Sequence, residues 1–133
     1  ILITNLIGEI STDKEFEDRN CIKVVHDCNR DALYFSREPI PTRFREPNIP
    51  MGKQICIIPF QRKFLLEYTS MSPTPLELAE SVDMLRILEN GKKVRMVPTS
   101  YKMQSVDTES DRQRVEKMLV DDPLYKKLFF NNP

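Results

Sequence analysis

Val94-Arg95-Met96-Val97-Pro98 and, a few residues later, Gln104-Ser105-Val106-Asp107-Thr108 lead into the charged run Glu109 to Met118. Lys93 to Pro98 reads as a strand. The run after Thr108 reads as a helix to about Leu119, with Val115, Met118 and Leu119 as its apolar face. Thr108 is the expected N-cap, with Asp111 three residues on completing a capping pattern. Asp107 then stands at a strand-to-helix transition, where open α/β sheets bind ligands. A carboxylate there can hold a hard cation such as Mg²⁺ beside a phosphate chain. It can equally be a plain loop residue that favours the positive end of the helix dipole. Position alone leaves both readings open.

Upstream, Pro73-Thr74-Pro75-Leu76-Glu77 is the sharpest helix start in the chain. Thr74 reads as the N-cap, Pro75 takes the first helical position and Glu77 closes a capping box. The pattern predicts one helix to about Asn90, stopped by Gly91. On that helix Leu76, Glu80, Asp83 and Ile87 share a stripe. Glu80 and Asp83 are either a solvated edge, with Asp83 paired to Arg86, or a polar pair accepting hydrogen bonds from sugar hydroxyls.

Gln61 to Tyr68 carries Phe64, Leu65 and Tyr68 at helical spacing. Gln54-Ile55-Cys56-Ile57-Ile58 predicts a strand buried on both faces, ended by Pro59. Ile22 to His26 and Ala32 to Ser36 predict a hairpin around the turn residues Asp27 to Asp31. Arg37-Glu38-Pro39-Ile40-Pro41 cannot continue a paired strand, and Thr42 to Pro50 reads as an exposed loop. Thr12-Asp13-Lys14-Glu15 is a capping box for a short helix anchored by Phe16. Ile1 to Ile7 suits either a strand or the end of a helix, and Asp122-Pro123 opens a final short helix. Strands alternating with helices, with one hairpin excursion, make an α/β fold.

Lys plus Arg equals Asp plus Glu, 20 each, so there is no basic surplus to attract nucleic acid. No apolar run is long enough for a membrane span. Cys21, Cys28 and Cys56 show no metal or disulfide spacing and read as free thiols of a cytoplasmic protein. His26 reads as a strand-surface residue. Three glycines in all leave no Gly-rich phosphate loop in this stretch. A chain opening on Ile1 in mid-element is expected to be part of a longer protein.

A resemblance adds to this reading. Lys23-Val24-Val25, then Ala32-Leu33-Tyr34-Phe35-Ser36-Arg37-Glu38-Pro39-Ile40-Pro41, is similar to the mid-chain signature of the CMP-sugar synthetases, above all their 3-deoxy-manno-octulosonate (KDO) branch. Lys53 to Ile57 with Phe60 and Phe64, Pro75-Leu76-Glu77, Glu80-Ser81, Asp83 to Arg86 and Val106-Asp107-Thr108 continue in that family's order. The match runs over about residues 5 to 119. It implies a three-layer, Rossmann-like nucleotidyltransferase fold of which residues 1–133 form the C-terminal portion. A hairpin and dimerisation region would span about 22–60 and a sugar- and metal-side region about 61–119, with the CTP-binding half absent.

The implied reaction is attack by the anomeric hydroxyl of an acidic, KDO-like sugar on the α-phosphorus of CTP, with Mg²⁺ as cofactor and a homodimer as the assembly. Asp107 matches the catalytic, metal-holding aspartate. Arg37 matches a partner for the sugar carboxylate or a phosphate, and Gln54, Glu80 and Asp83 match sugar-side positions. This piece by itself is expected to be inactive. Gln54 departs from the family's His, Met84 from its Gln, Ile58 from its Tyr, Ser105 from its Gly and Asn29-Arg30 from its Asn-Gly turn. Those departures open the alternatives of another nonulosonic acid or an amino analogue. A non-catalytic dimerisation module is the competing reading from another class.

Overall fold

The computed structural model describes residues 1–101, 104–106 and 108–129. It divides into two compact units, Ile1–Tyr101 and Lys102–Pro133.

In the first unit β1 (Thr4–Glu9) is followed by α1 (Asp13–Glu17), β2 (Lys23–His26), β3 (Ala32–Ser36) and β4 (Gly52–Ile55). Then come α2 (Arg62–Thr69), α3 (Pro75–Glu80), α4 (Met84–Glu89) and β5 (Arg95–Pro98). The strands form one mixed sheet in the order β3-β2-β4-β1-β5. β1 runs parallel to β5, with Thr4 opposite Arg95, and antiparallel to β4, with Ile7 opposite Gln54. β2 and β3 are the expected hairpin, Val24 facing Phe35. Of the Ile1–Ile7 stretch, the part from Thr4 on is strand.

The hairpin end curls onto the far edge of β5. Ala32 N–H donates to Val94 O at 2.9 Å and Met96 N–H to Arg30 O at 2.7 Å. Asp31 sits between them, buried, and accepts from Arg95 Nε at 2.7 Å and Lys93 Nζ at 2.8 Å. An edge that would otherwise offer unpaired backbone groups is thereby covered along these residues. The hairpin turn places Arg30 at φ 63°, a conformation that glycine adopts without strain. This is the position where the family signature carries the glycine of its Asn-Gly turn.

The core is continuous across this unit: Ile7, Val24, Phe35 and Met96 of the sheet, with Ile3 and Val94 just before β1 and β5, form one cluster with Phe64, Leu85 and Ile87 of the helices and Val82 between α3 and α4. Phe60 stacks on Phe64 with centroids 6.1 Å apart. A smaller cluster of Ile10, Phe16 and Met51 seats α1, whose N-cap Thr12 accepts from Glu15 N–H at 3.2 Å. Gly52 lets the sheet close over this core. A Cβ there would lie 2.3 Å from Ile7 Cδ1 and 3.3 Å from Val24 O, so no larger residue fits without displacement.

Two expectations are corrected. The strand placed at Gln54–Ile58 lies earlier, at Gly52–Ile55, and is not buried on both faces. Ile57 is 46% exposed. A tight turn, Ile57 N–H to Ile55 O at 2.7 Å, lifts the chain out of the ladder. It still follows β1 loosely, since Leu6 N–H reaches Ile57 O and Thr4 N–H reaches Pro59 O. The apolar run is real, but the ladder is set by pairing on both sides with β2 and β1.

The single helix expected over residues 75–90 is two helices. Thr74, Pro75 and Glu77 start α3 as expected; the Glu77 carboxylate accepts from Thr74 N–H at 3.1 Å, while the Glu77 N–H itself donates to Glu89 Oε2 at 3.3 Å. Ser81 then adopts a left-handed conformation, φ 53° and ψ 51°. Val82 N–H donates back to Glu77 O at 3.3 Å and the chain restarts as α4. Gly91, φ 69°, ends α4 with Lys92 N–H on Ile87 O and Gly91 N–H on Leu88 O, a Schellman closure. The break rotates Asp83 away from the stripe it would share with Glu80 on a continuous helix.

In the second unit α5 (Glu109–Asp121) has the expected capping box between Thr108 and Asp111. Arg112 ties it along one side, bonding Glu109 and Glu116. Asp122 accepts from Tyr125 N–H at 2.7 Å and starts α6 (Pro123–Phe129). No described residue of either helix is buried. No described helix is long and apolar enough to cross a membrane.

Candidate functional site

β3 ends at Ser36, and the next residue, Arg37, is gripped from several directions. Its backbone N–H donates to Glu80 Oε2 at 2.8 Å. Its side chain reaches past the end of α3, where Nε donates to Glu80 O at 2.6 Å and Nη2 to Ser81 O at 3.2 Å. Nη1 donates to Arg19 O at 3.0 Å. The guanidinium therefore caps the carbonyls left over where α3 stops, and this bonding is the physical reason that Ser81 can sit in the left-handed region. Glu80 is fully engaged too. Its Oε1 accepts from Ser36 Oγ at 2.8 Å and Tyr34 Oη at 3.2 Å. Burial works to raise the Glu80 carboxyl, but the bonds from the Arg37 amide, Ser36 and Tyr34 outweigh it and hold it below the ordinary range. The Tyr34 hydroxyl is pushed up by burial and then by Glu80.

The sheet places Gln54 near this cluster. Lys23 faces Ser36 on one side and Lys53 on the other. One step along, Arg37, Ile22 and Gln54 fall in a row, with Gln54 N–H on Ile22 O at 2.8 Å. Two strand spacings separate Arg37 from Gln54, about 10 Å. The Gln54 amide donates to Asn5 Oδ1 at 2.8 Å, and the fully buried Asn5 donates onward to Ile55 O at 2.6 Å. The structure thus brings Arg37 and Glu80 into contact and sets Gln54 beyond Ile22. Asp83 is exposed, and the partner expected for it, Arg86, pairs with Glu77 instead. Asp107 lies outside the described residues.

Sequence reasoning overlooked Lys23. It is 0% exposed, and Nζ donates to Asp18 O at 2.8 Å and Arg37 O at 2.5 Å. Burial lowers its pKa. The signal was present: a lysine inside the apolar strand run Ile22 to Val25 is out of keeping with its neighbours. Beside it, Lys53 pairs with Glu15, and Arg43 pairs with Asp13 and lies 4.0 Å over the Phe16 ring, pinning the loop after Pro41 to α1. Of the two loop arginines, Arg43 is therefore taken up by α1, while Arg45 lies over Phe44. Cys21 is half-buried, Cys28 and Cys56 exposed, and all three are free. Among the described residues no group of three or more His, Cys, Asp or Glu side chains could hold a metal ion.

The mixed sheet with helices packed against it is an α/β fold, with the Arg37–Glu80 cluster at the end of β3. The structure superposes on that of a CMP:2-keto-3-deoxy-manno-octonic acid synthetase solved with CTP, with a TM-score of 0.83 and 28% identity over 90% of this chain and 49% of that one. Residues 3–94 match the family model for cytidylyltransferases, and the chain belongs to that family. A 3-deoxy-manno-octulosonate cytidylyltransferase of Solibacter usitatus is 41% identical over 119 residues, 89% of this chain and 47% of the relative. One from Geobacter metallireducens is 38% identical over 130 residues, 90% of this chain and 51% of the relative. The chain spans about half the length of the curated relatives it matches.

Proposed function

We propose that this chain is the sugar-side part of a cytidylyltransferase that joins CTP to KDO, giving CMP-KDO and pyrophosphate for surface polysaccharide synthesis in the cytoplasm. The observation that carries this reading is the agreement of relatives of one named activity along nine-tenths of the chain. In the reaction the anomeric oxygen of the sugar attacks the α-phosphorus of CTP, and the bond to the bridging oxygen of the leaving pyrophosphate breaks. Such transfers depend on positioning and charge neutralisation more than on covalent help. Arg37 is the residue proposed to meet the sugar carboxylate or a phosphate. Three of its five N–H groups bind carbonyls, so two remain, and among the described residues no carboxylate forms an ion pair with its guanidinium. A divalent cation, Mg²⁺ in this reading, offsets charge on the phosphates when bound. Asp107 is the ligand this chain would contribute.

The test is pyrophosphate release by the full-length gene product given CTP, Mg²⁺ and KDO. Asp107→Ala is expected to remove nearly all of it, and activity at the wild-type level in that variant would sink the metal assignment.

Gln54 and Met84 favour a second sugar. The Gln54 amide is tied to Asn5, and Met84 is 2% exposed and packed in the core, where it offers no hydrogen bond. Both stand where the family signature carries hydrogen-bonding His and Gln. Loss of two such contacts suits another nonulosonic acid or an amino analogue. A panel of acidic sugars compared by kcat/KM separates these substrates. No release with any member of the panel would leave the non-catalytic module.

A further inference from the structure

Lys23 and Arg37 share an unusual trait: each is a cation bound by neutral carbonyls. Lys23 is wholly buried and its ammonium binds Asp18 O and Arg37 O. The Arg37 guanidinium binds Arg19 O, Glu80 O and Ser81 O. Among the described residues neither cation has a carboxylate within ion-pair distance. A buried ammonium is costly without an ion partner, and an apolar residue would fill the same space more favourably. A lysine kept there points to something that only a donor at that place can do. The Arg37 residue is its direct object. Lys23 holds the Arg37 carbonyl, Glu80 holds the Arg37 amide, and Ser36 and Tyr34 hold the Glu80 carboxylate in turn.

We propose that Lys23 and Glu80 are positioning residues for Arg37: they lock its backbone from both sides, so that its guanidinium stands ready, with two N–H groups left over, for the anionic group of the sugar. Glu80 acts through Arg37 and not by touching sugar hydroxyls, because its carboxylate already accepts three hydrogen bonds from the protein. This deepens the reading above and rests on it for the identity of the anion. Preorganised charge binds more tightly than charge that must be ordered on binding. The lock should therefore show in affinity for the sugar and not for CTP.

The experiment takes the full-length protein as wild type, Lys23→Met, Glu80→Gln, Arg37→Ala and the two doubles that combine Arg37→Ala with each of the others. Lys23→Met and Glu80→Gln are each expected to raise KM for the acidic sugar about tenfold, with KM for CTP unchanged. In the Arg37→Ala background neither should add a further effect, because a residue acting through Arg37 has nothing left to position. Effects that multiply in the doubles, or that fall equally on CTP, overturn the proposal. A second readout does not depend on turnover: the Arg37 Nε–H signal in ¹⁵N NMR. It should be protected from exchange in the wild type and exposed in Lys23→Met and in Glu80→Gln. Unchanged protection in both overturns the lock even if the wild type is active. A silent wild type with the protection pattern intact removes the reaction reading and leaves the lock. If Lys23→Met does not fold, Glu80→Gln decides by the same two readouts.

Discussion

Glu77 accepts three hydrogen bonds on one carboxylate. Oε2 accepts from Thr74 N–H at 3.1 Å, at the start of α3, and from Arg86 Nε at 2.7 Å, while Oε1 pairs with Arg86 Nη2. Arg86 in turn donates to Met71 O at 3.1 Å and lies 4.9 Å over the Tyr68 ring. The Arg86 bond, above all, holds the Glu77 carboxyl below its ordinary value. A carboxyl depressed in the folded state stabilises the fold above its unfolded pKa, about 4.3. That contribution fades as pH falls through the lower folded value, since there the folded state also takes up the proton. Glu77→Gln is thus expected to lose about 3 kcal/mol at pH 7, the lower end for removing one partner of a buried pair. The loss should shrink at pH 3, as read by urea unfolding at both pH values. An equal loss at both would mean that shape, not charge, is what the site uses. Glu77 was legible in the sequence as a cap but not as half of an ion pair, because Arg86 comes to it only after the helix has broken.

That break is the main event at the level of elements. Local pattern favours one helix from Pro75 to Asn90, and each end of it was read correctly: Thr74 caps the start and Gly91 the finish. What the pattern lacks is the pull of other elements. Arg37 takes the carbonyls of Glu80 and Ser81, and Val82 is drawn into the core. The conformation of Ser81 gives a prediction whose sign separates the two descriptions. In a continuous helix Ser81→Gly would cost up to about 1 kcal/mol. At a left-handed residue the same change is expected to stabilise by about 0.5–1 kcal/mol, because it relieves the Cβ strain. The urea midpoint should rise. The strand at Gly52–Ile55 teaches the same lesson: its apolar content was visible, while its limits were fixed by neighbours on both sides and by the close approach of Ile7 to Gly52.

At the scale of the sheet, β3 and β5 are the two end strands among the described residues. β1, β4 and β2 are interior, and the hairpin end bonds along β5 at Val94 and Met96, so among the described residues of the first unit β3 is the end strand paired on one side only, to β2. Leu33 on β3 is 62% exposed. The homodimer expected from the family resemblance would use the hairpin. The backbone of β4 at Gln54 is already paired on both sides and cannot add a strand. Light scattering of the full-length gene product is expected to give a dimer, and Leu33→Asp is expected to shift it toward the monomer without changing the urea midpoint of the monomer. A monomeric wild type at high concentration would count against the dimer.

The amino-acid sequence by itself determined the local elements: the helix starts at Thr12, Thr74 and Thr108, the hairpin, and the order of strands and helices. It also held the motif set that marks the cytidylyltransferase family. These follow from short-range chemistry, in which a hydroxyl caps the next turn and glycine or proline stops a run. Only the tertiary structure decided that Lys23 is buried beneath Arg37, that Glu80 faces inward to Tyr34 and Ser36, and that Asp83 parts company with Glu80. Those contacts join residues more than ten positions apart, such as Lys23 with Arg37 and Arg37 with Glu80. The physical reason is that a buried charge accepts whatever donors and carbonyls the fold presents, and only sheet pairing brings those groups within reach.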